Sequence, residues 1–282
     1  ISNGSDAFQA LSSGKVDILS TYGTGGPMVQ ISQGQPFNIF GGYMIIGETP
    51  IYGKPETEYK DLNSLVGKKL GIGRLGTADC AMRGILLEAG LLDKVEFVEF
   101  KKYTDALEAC ASGEIDFVGT ATGYQLQAAE RGLEVKLWPD ELWPDHSCCK
   151  MVALDSYVSD EKGAEALYRL LRAYIRAEEY MQDHKDEVVD LVIKNLDLDR
   201  ATVESFVLSP HMKYDTNPYK AGCVKMWNVL KECKYVDPNC GINPEDHINI
   251  DIYRKAIESL IAEYPNSQFL KDKQAAFEAQ NA

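Results

Sequence analysis

Four loops of this chain place hydroxyl, aromatic and backbone N–H groups directly after short β-rich segments. Ligands of open α/β sheets bind beyond the carboxyl ends of the strands, so the residues in these loops are candidates for binding a small molecule. They are Tyr22, Gly23 and Thr24 after 16–19, Tyr43 after 37–40, Arg74, Gly76, Thr77 and Ala78 after 69–73, and Thr120, Thr122 and Tyr124 after 115–119. Ser2, Asn3 and His146 complete the candidate ligand-binding set.

Two kinds of ligand fit these residue types. Arg74 is a cation, and a helix predicted to begin at Thr77 would offer backbone N–H groups that attract a carboxylate, sulfonate or similar anion. The rings of Tyr22, Tyr43 and Tyr124 would suit a flat heterocycle equally well. Structural interpretations remain open beside these: Thr77 as a helix N-cap, Arg74 as a surface cation, and Tyr22 and Tyr124 as packing at a rim.

One segment matches a cofactor motif. Gly71-Ile-Gly73-Arg-Leu-Gly76, with Glu99 near the end of the following strand, fits the dinucleotide-binding pattern G-x-G-x-x-G. Only a short strand precedes these glycines, and the segment belongs to one member of an internal pair, so we interpret it as part of the fold. Because the sequence shows no nucleophile elbow, P-loop, H-E-x-x-H pair or convincing triad, we expect no cofactor, no catalytic residue and no metal.

The cysteine pattern does not describe a disulfide scaffold, since the count of seven is odd and the spacing is sparse. His146-Ser-Cys148-Cys149 has the composition of a metal site, but adjacent residues of an extended segment point to opposite sides and no second ligand pair follows. His146 therefore has two interpretations, packing against its own loop or contacting a ligand. Cys233 and Cys240 flank a turn-rich loop and could pair.

Charge and composition exclude several classes of function. The chain has 282 residues, 45% of them hydrophobic and 26% charged, as in ordinary globular proteins. Its formal net charge of −14 disfavours nucleic-acid binding, which needs a basic surface, and docking on anionic lipid. The apolar runs are all shorter than the roughly 18 residues of a membrane span.

An internal repeat sets the architecture that must position the candidate residues. The stretch from Asp6 to Ile18 recurs 99 residues later from Asp105 to Phe117, with six of thirteen positions identical. Each copy reads as a helix ended by glycine, followed by a strand, a small-residue loop, another helix and another strand. Two such copies predict two lobes of the same fold, not a solenoid. Two lobes imply a cleft between them, and a cleft implies a ligand.

Strands alternate with ten-residue helices over residues 68–138, which predicts βαβ units and two doubly wound, parallel-sheet α/β lobes. We expect lobe 1 in residues 1–47, lobe 2 in 48–145, and a return to lobe 1 with C-terminal helices in 146–282. The first copy shows only the second half of the pattern, and the chain begins without Met. About 30 upstream residues should therefore hold the missing strand, helix and strand.

The chain resembles the extracellular solute-binding proteins of ABC importers, in the branch that serves nitrate, aliphatic sulfonates, taurine and thiamine-precursor pyrimidines. The matching motifs are Ala-Leu-Ser-Ser-Gly-Lys-Val-Asp at 10–17 with its echo at 109–116, Leu-Val-Gly-Lys-Lys-Leu-Gly-Ile at 65–72, and Leu-Leu-Glu-Ala-Gly-Leu at 86–91. The resemblance implies a periplasmic binding protein type II fold and capture of a small polar or anionic solute between the lobes. It further implies a monomer, a membrane permease as partner, and an extracellular or periplasmic lipoprotein.

Two other functions stay open. One is an enzyme on the same fold, because the resemblance extends to thiamine-pyrimidine synthases; their cysteine-rich cluster has only Cys148-Cys149 as a counterpart here. The other is the effector-binding domain of a transcription regulator, although no helix-turn-helix is found and the helical region after Ser159 is long. The sequence encoded upstream would distinguish these three functions. A lipobox would indicate an importer component, direct entry into a β-strand would indicate a cytosolic enzyme, and a DNA-binding helix pair would indicate a regulator.

Overall fold

The alternation of helical and β-rich segments seen in the sequence is present throughout the computed structural model, which describes residues 4–282, with side chains from residue 6. The helices are α1 (Gly4–Ser12), α2 (Gly25–Ser32), α3 (Thr77–Glu88), α4 (Tyr103–Ser112), α5 (Gln125–Glu130), α6 (Pro139–Leu142), α7 (Asp155–Ser159), α8 (Glu161–Asp183), α9 (Lys185–Leu196), α10 (Arg200–Val207), α11 (Lys220–Glu232), α12 (Asp251–Glu263) and α13 (Gln268–Gln280). The strands are β1 (Ile18–Gly23), β2 (Phe37–Ile46), β3 (Ile51–Gly53), β4 (Lys69–Ile72), β5 (Glu96–Glu99), β6 (Phe117–Gly119), β7 (Glu134–Leu137), β8 (Cys149–Leu154) and β9 (Lys213–Tyr214).

The chain divides into two compact units. The first comprises the residues up to Ile45 together with Ser147–His184 and Tyr214–Ala282, and the second comprises Ile46–His146 and Lys185–Lys213. The sequence predicted a return to the first lobe followed by C-terminal helices in 146–282, without assigning any of these helices to the second lobe. In the structure α9 and α10 belong to the second unit, so the chain enters that unit twice.

The sheet of the first unit has the strand order β1-β8-β2-β9. β8 lies between β1 and β2 and pairs antiparallel with both. On one face, Phe40, Met151 and Ala153 pack with α8, α12 and α13 in a buried apolar cluster. α1 and α2 contact β1, and α11 contacts α2. The middle strand of this sheet is thus β8, which arrives late in the chain.

The sheet of the second unit has the order β5-β4-β6-β3-β7. β4 pairs parallel with β5 and β6, whereas β3 pairs antiparallel with β6 and β7. Ala106, Leu107 and Cys110 of α4 pack with Val118 of β6 and Ala128 of α5 in its core. Cys110 is fully buried, as expected for a small core residue.

The two copies of the repeat form the same local arrangement in two different sheets. The first copy gives α1, β1, α2 and β2, and the second gives α4, β6, α5 and β7. Gly14 and Gly113, at equivalent positions after the first helix of each copy, have φ of 66° and 84°, which glycine adopts without a Cβ penalty. The α/β class is therefore confirmed. The sheets are mixed, however, not wholly parallel, because one antiparallel strand is inserted between the two strands of each copy.

The long helix α8 begins directly after Asp160. Asp160 is its N-cap, and the side chain accepts a hydrogen bond from the Gly163 amide at 2.9 Å. The hydroxyl of the preceding Ser159 donates to the Asp155 carbonyl at 2.8 Å, within α7. Although α8 has 23 residues, neither it nor any other helix in the described part of the chain is apolar enough to cross a membrane.

Candidate functional site

In the first unit, Thr24 holds the carboxyl end of β1 against the start of β8. Gly23 is paired with Cys149 in the sheet. The Thr24 amide donates to the Cys148 carbonyl at 2.9 Å, and the buried Thr24 hydroxyl donates to the Ser147 carbonyl. This hydroxyl is therefore already engaged in the structure, and any contact it makes with a ligand would be as an acceptor.

Tyr22 lies at the end of β1, and Tyr43 lies within β2. Both rings are partly packed. The Tyr22 ring lies 4.7 Å from that of Phe8, and burial raises the pKa of its phenol. Tyr43 makes edge contacts with Tyr174 and Tyr214 at 6.3 and 5.8 Å, and burial raises its pKa as well. Tyr22 keeps part of its ring exposed, so a ligand contact there stays a prediction.

Lys150, which was absent from the candidate set, lies directly beside these residues. It is paired with Tyr22 across the sheet and is only 1% exposed. Neighbouring residues of a strand point to opposite faces, so its side chain faces away from the cluster that contains Met151. Its Nζ lies 5.6 Å from the centre of the Tyr219 ring. Among the described residues, Nζ has neither a hydrogen-bond acceptor nor a carboxylate within 4.0 Å.

Two thiols near Lys150 do not neutralise it. The pKa of Cys149 is raised well above its ordinary value, first by the hydrogen bond with the Cys148 thiol and then by burial. Burial also raises the pKa of Cys223. Both thiols are therefore protonated at neutral pH, and the ammonium group has no negative partner from this source.

Another lysine of the same unit, Lys273, has the carboxylate partners that a buried charge usually has. Lys273 Nζ lies 2.6 Å from Glu178 Oε2 and 2.5 Å from Asp215 Oδ1. Glu178 also accepts the Thr216 amide at 2.5 Å. Buried charges normally have such partners, because removing an ion from water costs several kcal/mol. The contrast marks Lys150 as a functional candidate.

In the second unit, Arg74 lies on the surface and is paired. Its Nη1 is 2.8 Å from Glu99 Oε1, and the two side chains are 53% and 44% exposed. Glu99 is the residue that the dinucleotide pattern assigns to a ribose hydroxyl. A pair in this position reduces the positive charge that Arg74 presents to a solute.

The start of α3, expected to attract an anion, already holds a carboxylate of the protein. Gly76 is the N-cap and Thr77 the first helical residue, so Thr77 is not the cap. The fully buried Asp79 accepts the Leu75 amide at 2.9 Å and pairs with Arg83 Nε at 2.6 Å. The positive end of the helix dipole is thus compensated internally.

The glycine pattern that suggested a dinucleotide site has a packing explanation. A Cβ on Gly73 or on Gly76 would lie 2.8 or 2.6 Å from the Tyr103 hydroxyl. A Cβ on Gly119 would lie 3.0 Å from the methyl group of Ala78, which is 2% exposed. The lack of side chains at these glycines therefore leaves room for the Tyr103 ring and for Ala78 beside the end of β6.

The loop after β6 lies beside the same tyrosine. The Tyr124 ring is 5.2 Å from that of Tyr103, so the loops at 73–78 and 120–124 are brought together as expected for strand ends of one sheet. The buried Thr120 hydroxyl donates to the Ala121 carbonyl at 3.1 Å. Thr122 and Tyr124 are partly exposed.

Glu48, also absent from the candidate set, has an unsatisfied carboxyl oxygen in the second unit. It precedes β3 by three residues and is fully buried. Its Oε2 accepts the Gly123 amide at 3.4 Å, and its Oε1 has no hydrogen-bond partner in the described part of the chain. Burial raises the pKa of this carboxyl to about 7. It is placed to accept a hydrogen bond from a solute.

His146 is fully buried in the second unit, and neither ring nitrogen has a partner within residues 4–282. A satisfied core histidine would have one, so the ligand interpretation of His146 gains support. Ser2 and Asn3 lie outside the described residues. The other candidate residues are in the positions given above, and their contact with a ligand stays a prediction.

The cysteines form no cross-link and no metal cluster. Cys148 and Cys149 have their Sγ atoms 3.2 Å apart, and both side chains are buried. Cys233 and Cys240, which could have paired, are not joined by a disulfide. No group of three or more His, Cys, Asp or Glu side chains within the described residues could hold a metal ion.

Sequence patterns did contain a signal for the two residues that were missed. Lys150 is the single charged residue in the strand Cys149–Leu154, whose other five residues are apolar. A charge on a strand that is apolar on both faces must be buried, and buried charges need partners. Glu48 gave a weaker signal, because the Gly- and Pro-rich segment around it reads as an exposed linker.

Comparison with known proteins gives one family and a consistent fold. A family model described as NMT1/THI5 like matches residues 1–188. A candidate binding protein of Brucella abortus (strain 2308) is 26% identical over 155 residues, which are 52% of this chain and 46% of that protein. The match thus spans less than half the length of this curated relative.

Solved structures extend the likeness over nearly the whole chain. The ligand-binding component of an ABC-type import system from Staphylococcus aureus, with zinc bound, has a TM-score of 0.73 at 17% identity and covers 91% of this chain and 86% of its own. The periplasmic aliphatic sulphonate-binding protein SsuA from Escherichia coli has a TM-score of 0.72 at 17% identity, covering 90% and 87%. These likenesses confirm the periplasmic binding protein fold.

Proposed function

Because the chain belongs to the NMT1/THI5-like family, we propose that it is the solute-binding component of an ABC import system. The similar structures include a ligand-binding component of such a system and a sulphonate-binding protein. The observation that carries the proposal is two buried side chains at the strand ends where this fold binds ligands: Lys150, whose ammonium group has no carboxylate within 4.0 Å among the described residues, and Glu48, whose Oε1 has no hydrogen-bond partner there.

The solute is a small polar or anionic organic molecule. Arg74, Thr77, Tyr22 and Tyr124 would contribute hydroxyl, aromatic and cationic contacts, as the sequence suggested. The partner is a membrane permease, which places the protein outside the cytoplasmic membrane. Anchoring as a lipoprotein and a monomeric state belong to the same proposal and rest on the resemblance to importer components.

The protein should bind its solute without converting it. The hydroxyl groups of Thr24 and Thr120 donate to backbone carbonyls, and the buried thiols at 149 and 223 are held protonated, so none of these groups is an activated nucleophile. Solute capture needs only unsatisfied polar groups in a partly dry site, which the strand ends supply.

A thermal-shift screen over sulfonates, carboxylates, pyrimidines and amino-acid-like solutes tests the proposal, because a ligand that binds only the folded state raises the melting temperature. Hits are then measured by calorimetry. We expect at least one class of small solute to bind with one-to-one stoichiometry. If no solute in the panel raises the melting temperature, the proposed function is wrong.

An enzymatic function has one observation in its favour. The pKa of Glu48, about 7, lies where a general base works best at neutral pH, and the buried His146 has no partner in the described residues. The discriminating experiment is an NMR time course of any bound solute. A spectrum that changes only in line width indicates binding, whereas the appearance of new product signals would establish turnover.

A further inference from the structure

We propose that Lys150 is the residue that binds the negatively charged group of the solute. This inference rests on the proposed solute-binding function and assigns the anion to the first unit. Lys150 is 1% exposed, and its ammonium group lies 5.6 Å from the Tyr219 ring but has no carboxylate within 4.0 Å in the described part of the chain. Since a buried charge left without a partner is strongly unfavourable, the geometry calls for a counter-ion from outside the protein.

The protein offers no internal substitute for that counter-ion. The two buried carboxylates of the same unit, Glu178 and Asp215, both lie within 2.6 Å of Lys273 and are therefore already paired with it. The thiols at 149 and 223 are protonated, as shown by the direction of their pKa shifts. The charge of Lys150 thus remains uncompensated within the first unit.

The neighbouring helix strengthens the preference for an anion. Nζ lies 5.6 Å from the ring of Tyr219, the N-cap of the 13-residue helix α11. No acidic residue lies in the first turn of α11, and the Lys220 amide is taken by the Asn281 side chain at 2.8 Å. The ammonium group thus lies beside the ring of the residue that precedes the positive end of α11.

The strand pairing of Lys150 identifies a neighbour that a solute could contact. Lys150 is paired with the partly exposed Tyr22 at the carboxyl end of β1 and with Gly42 in the middle of β2. Paired residues on neighbouring strands share a face, so the Tyr22 ring and the Lys150 ammonium face the same side. A carboxylate or sulfonate bound to the ammonium could carry an organic group that lies along the tyrosine.

The test compares matched anionic and neutral probes on the full chain. Sodium methanesulfonate and sodium acetate are titrated against methanesulfonamide and acetamide, with sodium chloride added to equalise ionic strength. The proteins are wild type, Lys150→Met, Lys150→Gln and Lys150→Arg. We expect the neutral variants to bind the anions about tenfold to hundredfold more weakly, the range for a charge-assisted hydrogen bond. Lys150→Arg should retain part of the affinity, and the neutral amides should be unaffected throughout.

Each outcome of this test supports or contradicts the assignment of the anion to Lys150. Equal anion affinity in wild type and in a folded neutral variant would overturn the assignment. Wild type that binds neutral solutes but neither anion would also overturn it, while leaving the solute-binding function in place. Wild type that binds nothing in the broader panel would remove the proposed function itself. Since Met and Gln differ in polarity, at least one neutral variant should fold, as checked by far-UV circular dichroism.

Discussion

The two units of this protein differ in the sign of the buried charge that lacks an oppositely charged partner. Among the described residues, the first unit has a largely buried lysine with two carboxylates, Lys273, and the second has a buried aspartate with an arginine, Asp79. Lys150 in the first unit and Glu48 in the second have no such partner. The unpaired groups lie near the start of the antiparallel strand that is inserted between the two strands of the repeat.

The difference lies in the sign of the unpaired group. The first unit offers an ammonium group beside the start of a helix, whereas the second offers a carboxyl whose pKa is raised to about 7. The paired groups serve the fold, since their partners are side chains of the same unit. The unpaired groups contribute nothing comparable to stability, and their retention in buried positions is understandable if a solute supplies the missing partners.

The largest expected effect is on Lys273. Lys273→Met should lower the free energy of unfolding by about 3–5 kcal/mol, because it leaves two carboxylates buried without their cation. Chemical denaturation at pH 7 measures this change. A loss below about 1 kcal/mol would show that Glu178 and Asp215 do not depend on the lysine, and the contrast with Lys150 would disappear.

A pH-dependent effect is expected next, at Glu48. The folded-state pKa of about 7 exceeds the ordinary value of 4.5, so the folded state binds a proton that the unfolded state has released between these pH values. Stability contributed by this group is therefore present at low pH and is lost as pH rises to 7. Ligand-free Glu48→Gln should match wild type near pH 4.5 and exceed it by about 3 kcal/mol at pH 8.

Asp79→Asn is the matched control for Glu48 in the same unit. It should destabilise the protein at pH 7, because Arg83 loses its partner and the Leu75 amide loses an ionised acceptor. Urea titrations of both variants across the pH range provide the comparison. If Glu48→Gln and Asp79→Asn shift stability in the same direction at pH 8, the distinction between paired and unpaired acids is wrong.

A smaller effect is expected from Lys150 in the ligand-free protein. Lys150→Met should raise the free energy of unfolding by about 1–3 kcal/mol, because a neutral side chain of similar length replaces a buried charge that has no partner. Differential scanning calorimetry without added anions measures it. A clear loss of stability would mean that the ammonium group has an internal partner in solution.

The smallest effect is expected from Arg74. Arg74→Ala should weaken the binding of an anionic solute by about 1 kcal/mol or less, since the residue is exposed and paired with Glu99. Calorimetric titration of methanesulfonate beside Lys150→Met gives the ranking of the two cations. If Arg74→Ala has the larger effect, the anion binds in the second unit and the assignment to Lys150 fails.

Much of the fold could be predicted from local patterns. Gly14 and Gly113 end equivalent helices, as the repeat predicted, and helices alternate with strands over residues 68–138. These features depend on neighbours a few residues away, which the sequence displays directly. The antiparallel insertion of β3 and β8 between the strands of each copy was not predicted, because their pairing partners lie about 65 to 135 residues away along the chain.

The candidate site was predicted more in outline than in detail. Three of the four predicted loops do lie at strand ends, and the loops at 73–78 and 120–124 meet through Tyr103. Tyr43 does not lie at a strand end, because β2 continues to Ile46 and Tyr43 lies inside it. The sequence favoured Arg74 and the start of α3 as the anion-binding group. In the structure Glu99 pairs with Arg74, and the carboxylate of Asp79 lies at the start of α3 in place of an external anion. Whether a charge is free to meet a solute depends on which other side chains the fold brings next to it.

The sequence by itself determined the repeat, the α/β class, the ends of most helices and the family, because these follow from local periodicity and from motifs that are contiguous in the chain. Only the tertiary structure decided which charges are satisfied. Lys273 and Lys150 are both lysines of the first unit, and only the fold brings Glu178 and Asp215 to one and not to the other. Desolvation depends on the whole enclosing shell of side chains, and that shell exists only in the folded molecule.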